Sequence, residues 1–291
     1  GDALTDADRN VAVGRSALTT DTLGSRATAI GFGALQTQNF TSATDSYNVA
    51  VGYDAGASLT QGQQNTFLGS LSGDAITDAD FNTAVGYAAL SSDTLGAQNT
   101  AVGYVALLSQ NFSSSTTSYN VAVGSQAGRL VSTGIRNTLV GALAGDAISD
   151  ADFNTVLGFN ALTNNTVGSK SVAIGAETLH SQNPASATDM FNIAVGHQAG
   201  YAMTTGVQNV IIGGLAGDSL TTANENVAIG TVALSADTQG TRAVAIGTSA
   251  LASQNFSSSQ DNYNVAVGFQ AGLSVTTGVQ NVLLGGFAGD A

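Results

Sequence analysis

A short pattern of alternating apolar positions recurs along the whole chain. It consists of Asn, a β-branched residue, Ala, an aliphatic residue and Gly, as in the segment that ends at Gly86. The sixteen glycines that close it are Gly14, Gly31, Gly52, Gly69, Gly86, Gly103, Gly124, Gly141, Gly158, Gly175, Gly196, Gly213, Gly230, Gly247, Gly268 and Gly285. The alternation indicates a short strand and the glycine a tight bend. No stretch has a helical period, so we predict an all-β chain.

The spacing of these glycines defines a larger repeat. The step from Gly31 to Gly52 is longer than the equal steps on either side of it, and the same order of steps starts again at Gly86, Gly158 and Gly230. The chain is therefore an array of four super-repeats, approximately 1–72, 73–144, 145–216 and 217–291. Because all units share one strand pattern, their strands need equivalent surroundings, which a stack of parallel coils provides. A four-bladed propeller is the alternative, but its inner and outer strands should differ. We predict a parallel β-roll, or β-solenoid, of sixteen turns.

Stacked copies of one strand place identical side chains in columns. We expect the Val, Ile or Leu before each glycine, such as Val123, to form an apolar ladder inside the coil, where an acidic residue would be strongly destabilising. The Asn column is expected either to bond amide to amide or to cap the turn before each strand. Ala and Gly at the other inward positions imply a thin coil, which favours association of several copies.

Several of these units resemble a known repeat. Ser171-Val-Ala-Ile-Gly175 resembles the core of the YadA-like head repeat of trimeric autotransporter adhesins, and Asn82-Thr-Ala-Val-Gly-Tyr-Ala-Ala-Leu90 is similar to repeats of some phage tail fibres. The resemblance covers all sixteen units, although the turns here are longer than the family's common repeat. It implies a left-handed roll, a homotrimer about a threefold axis, and an extracellular position on a bacterial cell surface or a virion fibre.

Composition and charge narrow the classes of partner. Only 9% of the 291 residues are charged, against roughly 25% in typical globular chains. A net charge of −13 argues against nucleic acid and anionic membrane surfaces. The absence of Cys excludes disulfides and thiol chemistry. No apolar run is long enough for a membrane helix, and no set of catalytic residues is recognisable, so we expect neither membrane insertion within this segment nor an enzyme.

An acidic segment at the start of each super-repeat carries the candidates for a calcium site. Its carboxylates are Asp2, Asp6, Asp8, Asp74, Asp78, Asp80, Asp146, Asp150 and Asp152. Closely spaced carboxylates, hydroxyls and carbonyls are suitable calcium ligands. The spacing is not that of an EF-hand, however, and the fourth copy keeps Asp218 but has Thr222 and Asn224. The alternative is an ordinary solvated turn, which Asp and Asn favour. We expect no other cofactor.

The units with the longer step carry a longer polar loop with two aromatic positions. The candidates for contact with a host-surface glycan or protein receptor are Phe40, Tyr47, Phe112, Tyr119, Phe256 and Tyr263. Several copies of such a loop would form a multivalent surface. Alternatively, these aromatic side chains hold their own loop against the roll.

These features predict a structural or adhesive segment of an extracellular trimeric fibre, either a surface-adhesin head or stalk or a tail-fibre shaft. The alternative is a solenoid that binds a glycan, a calcium-dependent ligand or ice. Ice binding needs one hydroxyl residue on every turn. The residue three positions before the glycine is Thr in some turns, such as Thr28, and Val in others, such as Val49, and it is expected to face inward. Both chain ends carry Gly-Asp-Ala at the same point of the repeat, so we expect a fragment of a longer array.

Overall fold

The computed structural model describes residues 1–290, and these contain no helix. Its contacts divide the chain into two compact units, Gly1–Asp150 (unit 1) and Ala151–Ala291 (unit 2). Each unit contains eight turns, and in every turn the three residues before the repeat glycine form a strand. The boundary between the units falls within the third super-repeat.

The three-residue strands of each unit form one sheet, which we call the long sheet. In unit 1 they are Val11–Val13, Thr28–Ile30, Val49–Val51, Thr66–Leu68, Thr83–Val85, Thr100–Val102, Val121–Val123 and Thr138–Val140. In unit 2 they are Thr155–Leu157, Val172–Ile174, Ile193–Val195, Val210–Ile212, Val227–Ile229, Val244–Ile246, Val265–Val267 and Val282–Leu284.

The long loops add pairs of two-residue strands. In unit 1 these pairs are Gly24–Ser25 with Thr44–Asp45, and Gly96–Ala97 with Thr116–Thr117. In unit 2 they are Gly168–Ser169 with Thr188–Asp189, and Gly240–Thr241 with Gln260–Asp261.

Consecutive strands of each long sheet pair in parallel and in register. Thr100, for example, pairs with Thr83 of the previous turn and Val121 of the next. Pairing of equivalent residues one turn apart is the topology of a β-solenoid, whereas propeller blades are made of antiparallel strands. The predicted all-β parallel solenoid is therefore confirmed. Its turns are of two lengths, 17 residues as from Asn82 to Asn99 and 21 residues as from Asn99 to Asn120.

The repeat glycine is required by the close approach of successive turns. Gly103 has a φ of 139°, which L side chains rarely adopt. A Cβ atom at this position would overlap the carbonyl oxygen of Gly124 in the next turn. The same contact recurs up both long sheets, from Gly14 to Gly124 in unit 1 and from Gly158 to Gly268 in unit 2, which explains why the repeat keeps the glycine.

The inward and outward sides of the long sheets are the reverse of those predicted. The middle residue of each strand faces inward, so that Ala101 and Ala122 are fully buried. The aliphatic residue before the glycine faces outward, and Leu68 and Leu157 are 45% and 48% exposed. The expectation of an internal Val/Ile/Leu ladder is wrong, and Val123 is only partly buried. Both alternating sets are largely apolar, and the set that faces inward is mostly Ala, with a larger residue such as Phe67 or Leu139 in every fourth turn.

The interior is filled by large and small residues in complementary positions. In the first two turns of a super-repeat a buried Leu, such as Leu107, lies four residues after the glycine. In the third and fourth turns Gly takes that position. In the first super-repeat, the side chain of Phe67 fills the space that the Leu side chains would occupy in these two turns. A Cβ atom at Gly56 would lie 2.7 Å from the Phe67 ring, and one at Gly73 would overlap the ring.

The buried Asn column ties each turn to the next. Asn82 Oδ1 accepts the backbone N–H of Asn99 at 3.0 Å, and Asn99 Oδ1 accepts that of Asn120 at 3.1 Å. Asn82 Nδ2 donates to the carbonyl of Gly96 across the coil at 2.8 Å. Amide-to-amide bonds also occur, as from Asn99 Nδ2 to Asn82 Oδ1 at 3.2 Å. The column thus satisfies backbone groups that would otherwise be buried unpaired.

Candidate functional site

The carboxylates of the acidic turns bond to the neighbouring turn. Asp78 Oδ1 accepts the hydroxyl of Thr60, and Asp80 Oδ1 accepts the backbone N–H of Gln63 at 2.7 Å. Each partner lies in the previous turn of unit 1. These carboxylates therefore have the hydrogen-bonding role that Asp usually has in turns.

The next copy of the acidic segment makes similar contacts. Asp150 Oδ1 accepts the hydroxyls of Ser132 at 2.6 Å and Thr133 at 2.8 Å. These bonds to the charged form lower the pKa of Asp150. In unit 2, the backbone N–H of Asp152 donates to a serine hydroxyl at 2.9 Å. In both copies, Asp carboxylates accept hydrogen bonds from hydroxyl or amide groups of the neighbouring turn.

Asp74 differs from the other acidic candidates. Its Oδ1 atom is buried and accepts no hydrogen bond. The pKa of Asp74 is raised to about 6, chiefly by burial and to a smaller extent by the nearby carboxylate of Asp54. The equivalent Asp146 instead lies 3.8 Å from the guanidinium of Arg129. Among residues 1–290, three or more acidic or His side chains do not gather at any point that could hold a metal ion.

The aromatic residues of the long loops separate into two sets. The phenyl side chains are buried, with exposures of 4%, 6% and 7% for Phe40, Phe112 and Phe256. The tyrosines are exposed by 48%, 50% and 49% at Tyr47, Tyr119 and Tyr263. A Cβ atom at Gly96 would lie 2.9 Å from the Phe112 ring, so this phenyl group packs inside its own loop. Only the tyrosines are placed where a receptor could contact them.

A buried polar set closes three of the four long loops, and our sequence analysis missed it. Asp93 accepts the N–H of Gly96 at 3.0 Å and Nε2 of Gln110 at 2.5 Å, and Gln110 Oε1 accepts Nδ2 of Asn120 at 2.8 Å. The matching sets are Asp21, Gln38 and Asn48 in unit 1 and Asp237, Gln254 and Asn264 in unit 2. The recurrence of an Asp and a Gln one turn apart was the available signal.

The outward side of each long sheet is a largely aliphatic face whose side chains are partly or well exposed. We call it the outer face, and it consists of the residues one and three positions before each repeat glycine. The first column is Val, Ile or Leu in every turn. The second contains five Thr among eight residues in unit 1 and one, Thr155, in unit 2. The position three before the glycine therefore faces outward, contrary to our expectation. Apolar faces of this extent mark interaction sites.

A second exposed column lies five residues before each glycine, and we call it the edge row. All its residues have left-handed backbone, with φ between 51° and 62°. In unit 1 it consists of Arg9, Arg26, Tyr47, Gln64, Phe81, Gln98, Tyr119 and Arg136. In unit 2 it consists of Phe153, Lys170, Phe191, Gln208, Glu225, Arg242, Tyr263 and Gln280. Each of its six aromatic side chains is about half exposed.

Three basic residues of the edge row are neutralised by nearby carboxylates. The guanidinium of Arg26 lies 5.4 Å from the centre of the Tyr47 ring and 2.6 Å from a carboxylate oxygen of Asp45. In unit 2, Lys170 and Arg242 make the same pair of contacts with a ring and a carboxylate. At these three places the edge row therefore exposes an aromatic ring beside an ion pair rather than an unpaired positive charge.

Comparison with known proteins adds no relative to this description. The described residues contain no helix long and apolar enough to cross a membrane. No family model, curated protein or solved structure matches the chain.

Proposed function

We propose that the chain is a structural and adhesive segment of an extracellular fibre in which three copies associate through their outer faces. The observation that carries this proposal is the outward-facing, largely aliphatic outer face of each unit. Association removes such a face from water, which is favourable in proportion to the apolar area buried. The interior points the same way, because strands that contribute mostly Ala to it leave the coil a small core of its own.

The threefold symmetry and the extracellular setting of the proposal come from the resemblance to adhesin head and tail-fibre repeats. The acidic surface, with a net charge of −13, suits a soluble segment displayed in many copies. The repeat also lets fibre length follow the number of turns. Within this proposal the segment is a scaffold that carries binding groups and performs no catalysis.

The test is the mass of the particle in solution. Light scattering should give three times the chain mass of 28.9 kDa. The variant Val85→Lys/Val102→Lys/Val123→Lys places three charges on the outer face of unit 1 and should lower that mass towards one chain. The control Ser113→Lys/Ser114→Lys/Ser115→Lys adds the same charge on an exposed loop and should leave it unchanged. A wild-type monomer, or an outer-face variant of unaltered mass, contradicts the proposal.

The alternative function is a surface-binding solenoid, and one observation favours it. The Thr residues of the second outer-face column in unit 1 point outward, where hydroxyls could meet an ice surface. The array is interrupted by Val11, Val49 and Val121, and in unit 2 it is almost entirely aliphatic. We therefore expect no thermal hysteresis. A strong hysteresis signal, abolished by Thr83→Lys/Thr100→Lys, would favour ice binding over the fibre.

A further inference from the structure

We propose that the edge row of unit 1 binds a neutral, extended β-1,4-linked polysaccharide. The site consists of Tyr47, Gln64, Phe81, Gln98 and Tyr119. Sugar rings lie against the three aromatic side chains, and the two glutamines hydrogen-bond hydroxyl groups between them. This inference rests on the proposed adhesive role and names the class of partner that the role requires.

The spacing of the aromatic residues is the first support. The strands that follow these five residues pair in register, turn upon turn. Tyr47, Phe81 and Tyr119 are therefore two strand spacings apart, which is ~10 Å each. That distance is close to the length of one disaccharide in an extended β-1,4-linked chain. A polymer lying along the row would thus bring an equivalent sugar to each aromatic side chain.

The edge-row rings of unit 1 do not stack on one another, unlike other exposed aromatic residues of the unit, and the Tyr47 ring is contacted by the Arg26 guanidinium. Phe32 and Tyr53 lie on adjacent turns and stack on each other, with ring centres 5.4 Å apart. Tyr87 and Tyr104 stack in the same way at 5.8 Å. Aromatic pairs interact at centroid distances of about 4.5–7 Å, so edge-row rings two turns apart lie beyond that range.

The chemistry of the row suits sugars. An aromatic face is electron-rich and attracts the weakly positive C–H groups of a sugar ring. The amides of Gln64 and Gln98 can both donate to and accept from hydroxyls, which fixes the orientation of a ligand. The backbone is held in place, since Gln64 N–H donates to Ser46 at 2.8 Å and Phe81 N–H donates to Gln63 at 3.1 Å. A rigid row loses little entropy on binding.

Charge favours a neutral polymer over an anionic one. The Arg26 guanidinium that contacts Tyr47 is already paired with Asp45. The chain as a whole carries a net charge of −13, which repels acidic polysaccharides. In unit 2 the aromatic spacing is broken, because Glu225 occupies the position where a third aromatic residue would stand. The row of unit 1 is therefore the better site.

The experiment is affinity electrophoresis of the full chain in native gels that contain a polysaccharide. Hydroxyethyl cellulose is the neutral β-1,4-linked probe, dextran the α-linked comparison, and carboxymethyl cellulose the anionic one. The variant Tyr47→Gln/Phe81→Gln/Tyr119→Gln removes the rings and uses a residue that already occupies the same left-handed position at Gln64 and Gln98. The control Phe32→Gln/Tyr53→Gln/Tyr87→Gln removes three exposed rings outside the row.

We expect hydroxyethyl cellulose alone to retard the wild-type chain. The edge-row variant should bind at least ~10-fold more weakly, because several weak contacts act together, and the control should bind as wild type. Equal retardation by dextran, stronger retardation by carboxymethyl cellulose, equal losses in both variants, or no retardation of the wild type overturns the proposal. Light scattering keeps the two proposals apart. A trimer that does not bind contradicts the polysaccharide site alone, and a monomer that binds contradicts the fibre alone.

Discussion

The long loop that begins at Asp93 in unit 1 and the one that begins at Asn165 in unit 2 hold the same place in the repeat but close with different residues. In the first, the Asp93 carboxylate accepts the N–H of Gly96, the side-chain amide of Gln110 and, at 3.4 Å, the N–H of Phe112. Three donors meet one buried carboxylate, and such charge-assisted bonds offset the cost of removing it from water.

In the second loop, an amide takes the carboxylate's place. Asn165 accepts the N–H of Gly168 at 3.1 Å and donates to its carbonyl at 2.7 Å. Gln182 donates to the hydroxyl of Ser171 at 3.0 Å instead. Pro184, the only proline of the chain, stands at the position of the phenylalanine and has no N–H to donate. Compared with the first loop, the second therefore lacks one carboxylate oxygen as a buried acceptor and one backbone N–H as a buried donor.

The two loops also preserve their internal volume by different means. In unit 1 the buried pair is Phe112 and Ser118, and in unit 2 the corresponding pair is Pro184 and Met190. A Cβ atom at Gly168 would lie 3.1 Å from both side chains of the second pair. The loss of the phenyl ring is thus compensated by the larger methionine. What the repeat keeps at this place is hydrogen-bond balance and volume rather than residue identity.

The largest expected effect comes from removing the carboxylate. Asp93→Ala leaves the donors of Gly96 and Gln110 buried and unpaired, so we expect a loss of about 3–5 kcal/mol in the free energy of unfolding. Asn165→Ala removes a neutral group with bonds to one residue and should cost about 1–3 kcal/mol. Urea unfolding of both variants measures the difference. Equal losses would show that the carboxylate has no special role.

The second prediction exchanges the packing pairs. Phe112→Pro should cost about 3 kcal/mol, because it removes a buried ring and an N–H donor. Ser118→Met alone should cost about 1–3 kcal/mol through overpacking. Together they recreate the pair found in unit 2, and the double variant should be at least about 1 kcal/mol more stable than the sum of the single losses predicts. Additive losses in a double-mutant cycle would refute the volume argument.

A smaller effect is expected when only the charge is changed. Asp93→Asn keeps the acceptor for the Gly96 N–H but presents an NH₂ group to the donor of Gln110. If Gln110 turns its amide to accept, Asn120 loses the oxygen that it now contacts at 2.8 Å. We expect a loss of about 1–2 kcal/mol in urea unfolding. A loss as large as that of Asp93→Ala would mean that the negative charge itself, and not the pairing, is what matters.

The sequence predicted the turns of the solenoid but not which side of the strand faces inward. Turn length and parallel pairing follow from sixteen equivalent units, because identical strands need identical neighbours. Ala122 and Val123 are both apolar, so alternation does not distinguish inside from outside. The available volume decides, and it depends on large residues that fill the interior, such as Leu107 after the glycine and Phe67 in the middle of another strand.

The candidate sites were predicted only in part, again because residue type alone does not show which side chains face inward. Phe112 and Tyr119 look alike as aromatic residues of one loop, but the first packs beside Gly96 and the second follows a left-handed backbone outward. Nothing in the local sequence marks Asp93 as buried, since most Asp side chains are exposed. Its burial depends on Gln110, which lies 17 residues away along the chain and one turn away in the solenoid.

The acidic turns allow a similar comparison of equivalent residues, because Asp146 has a nearby cation and Asp74 does not. Asp146 lies 3.8 Å from Arg129, whereas Ala57 stands at the place in the first super-repeat that corresponds to this arginine, next to Asp74. Burial raises the pKa of Asp74 from 3.8 to about 6. Between these pH values the folded chain holds a proton that the unfolded chain releases. Asp74 therefore lowers stability progressively as the pH rises from 3.8 to about 6, and not below that range.

The smallest expected effect is that of Ala57→Arg, which gives Asp74 the partner that Asp146 has. The new cation should lower the pKa of Asp74 and stabilise unit 1 by at most about 1 kcal/mol, because Asp74 is only partly buried and solvent screens the pair. The gain should be complete above pH ~6 and absent below pH ~4, since Asp74 is then protonated in both states. Urea unfolding across this range measures it, with Ala57→Gln as the uncharged control. A gain that does not change with pH, or that the glutamine variant shares, would mean that the arginine acts through packing rather than charge.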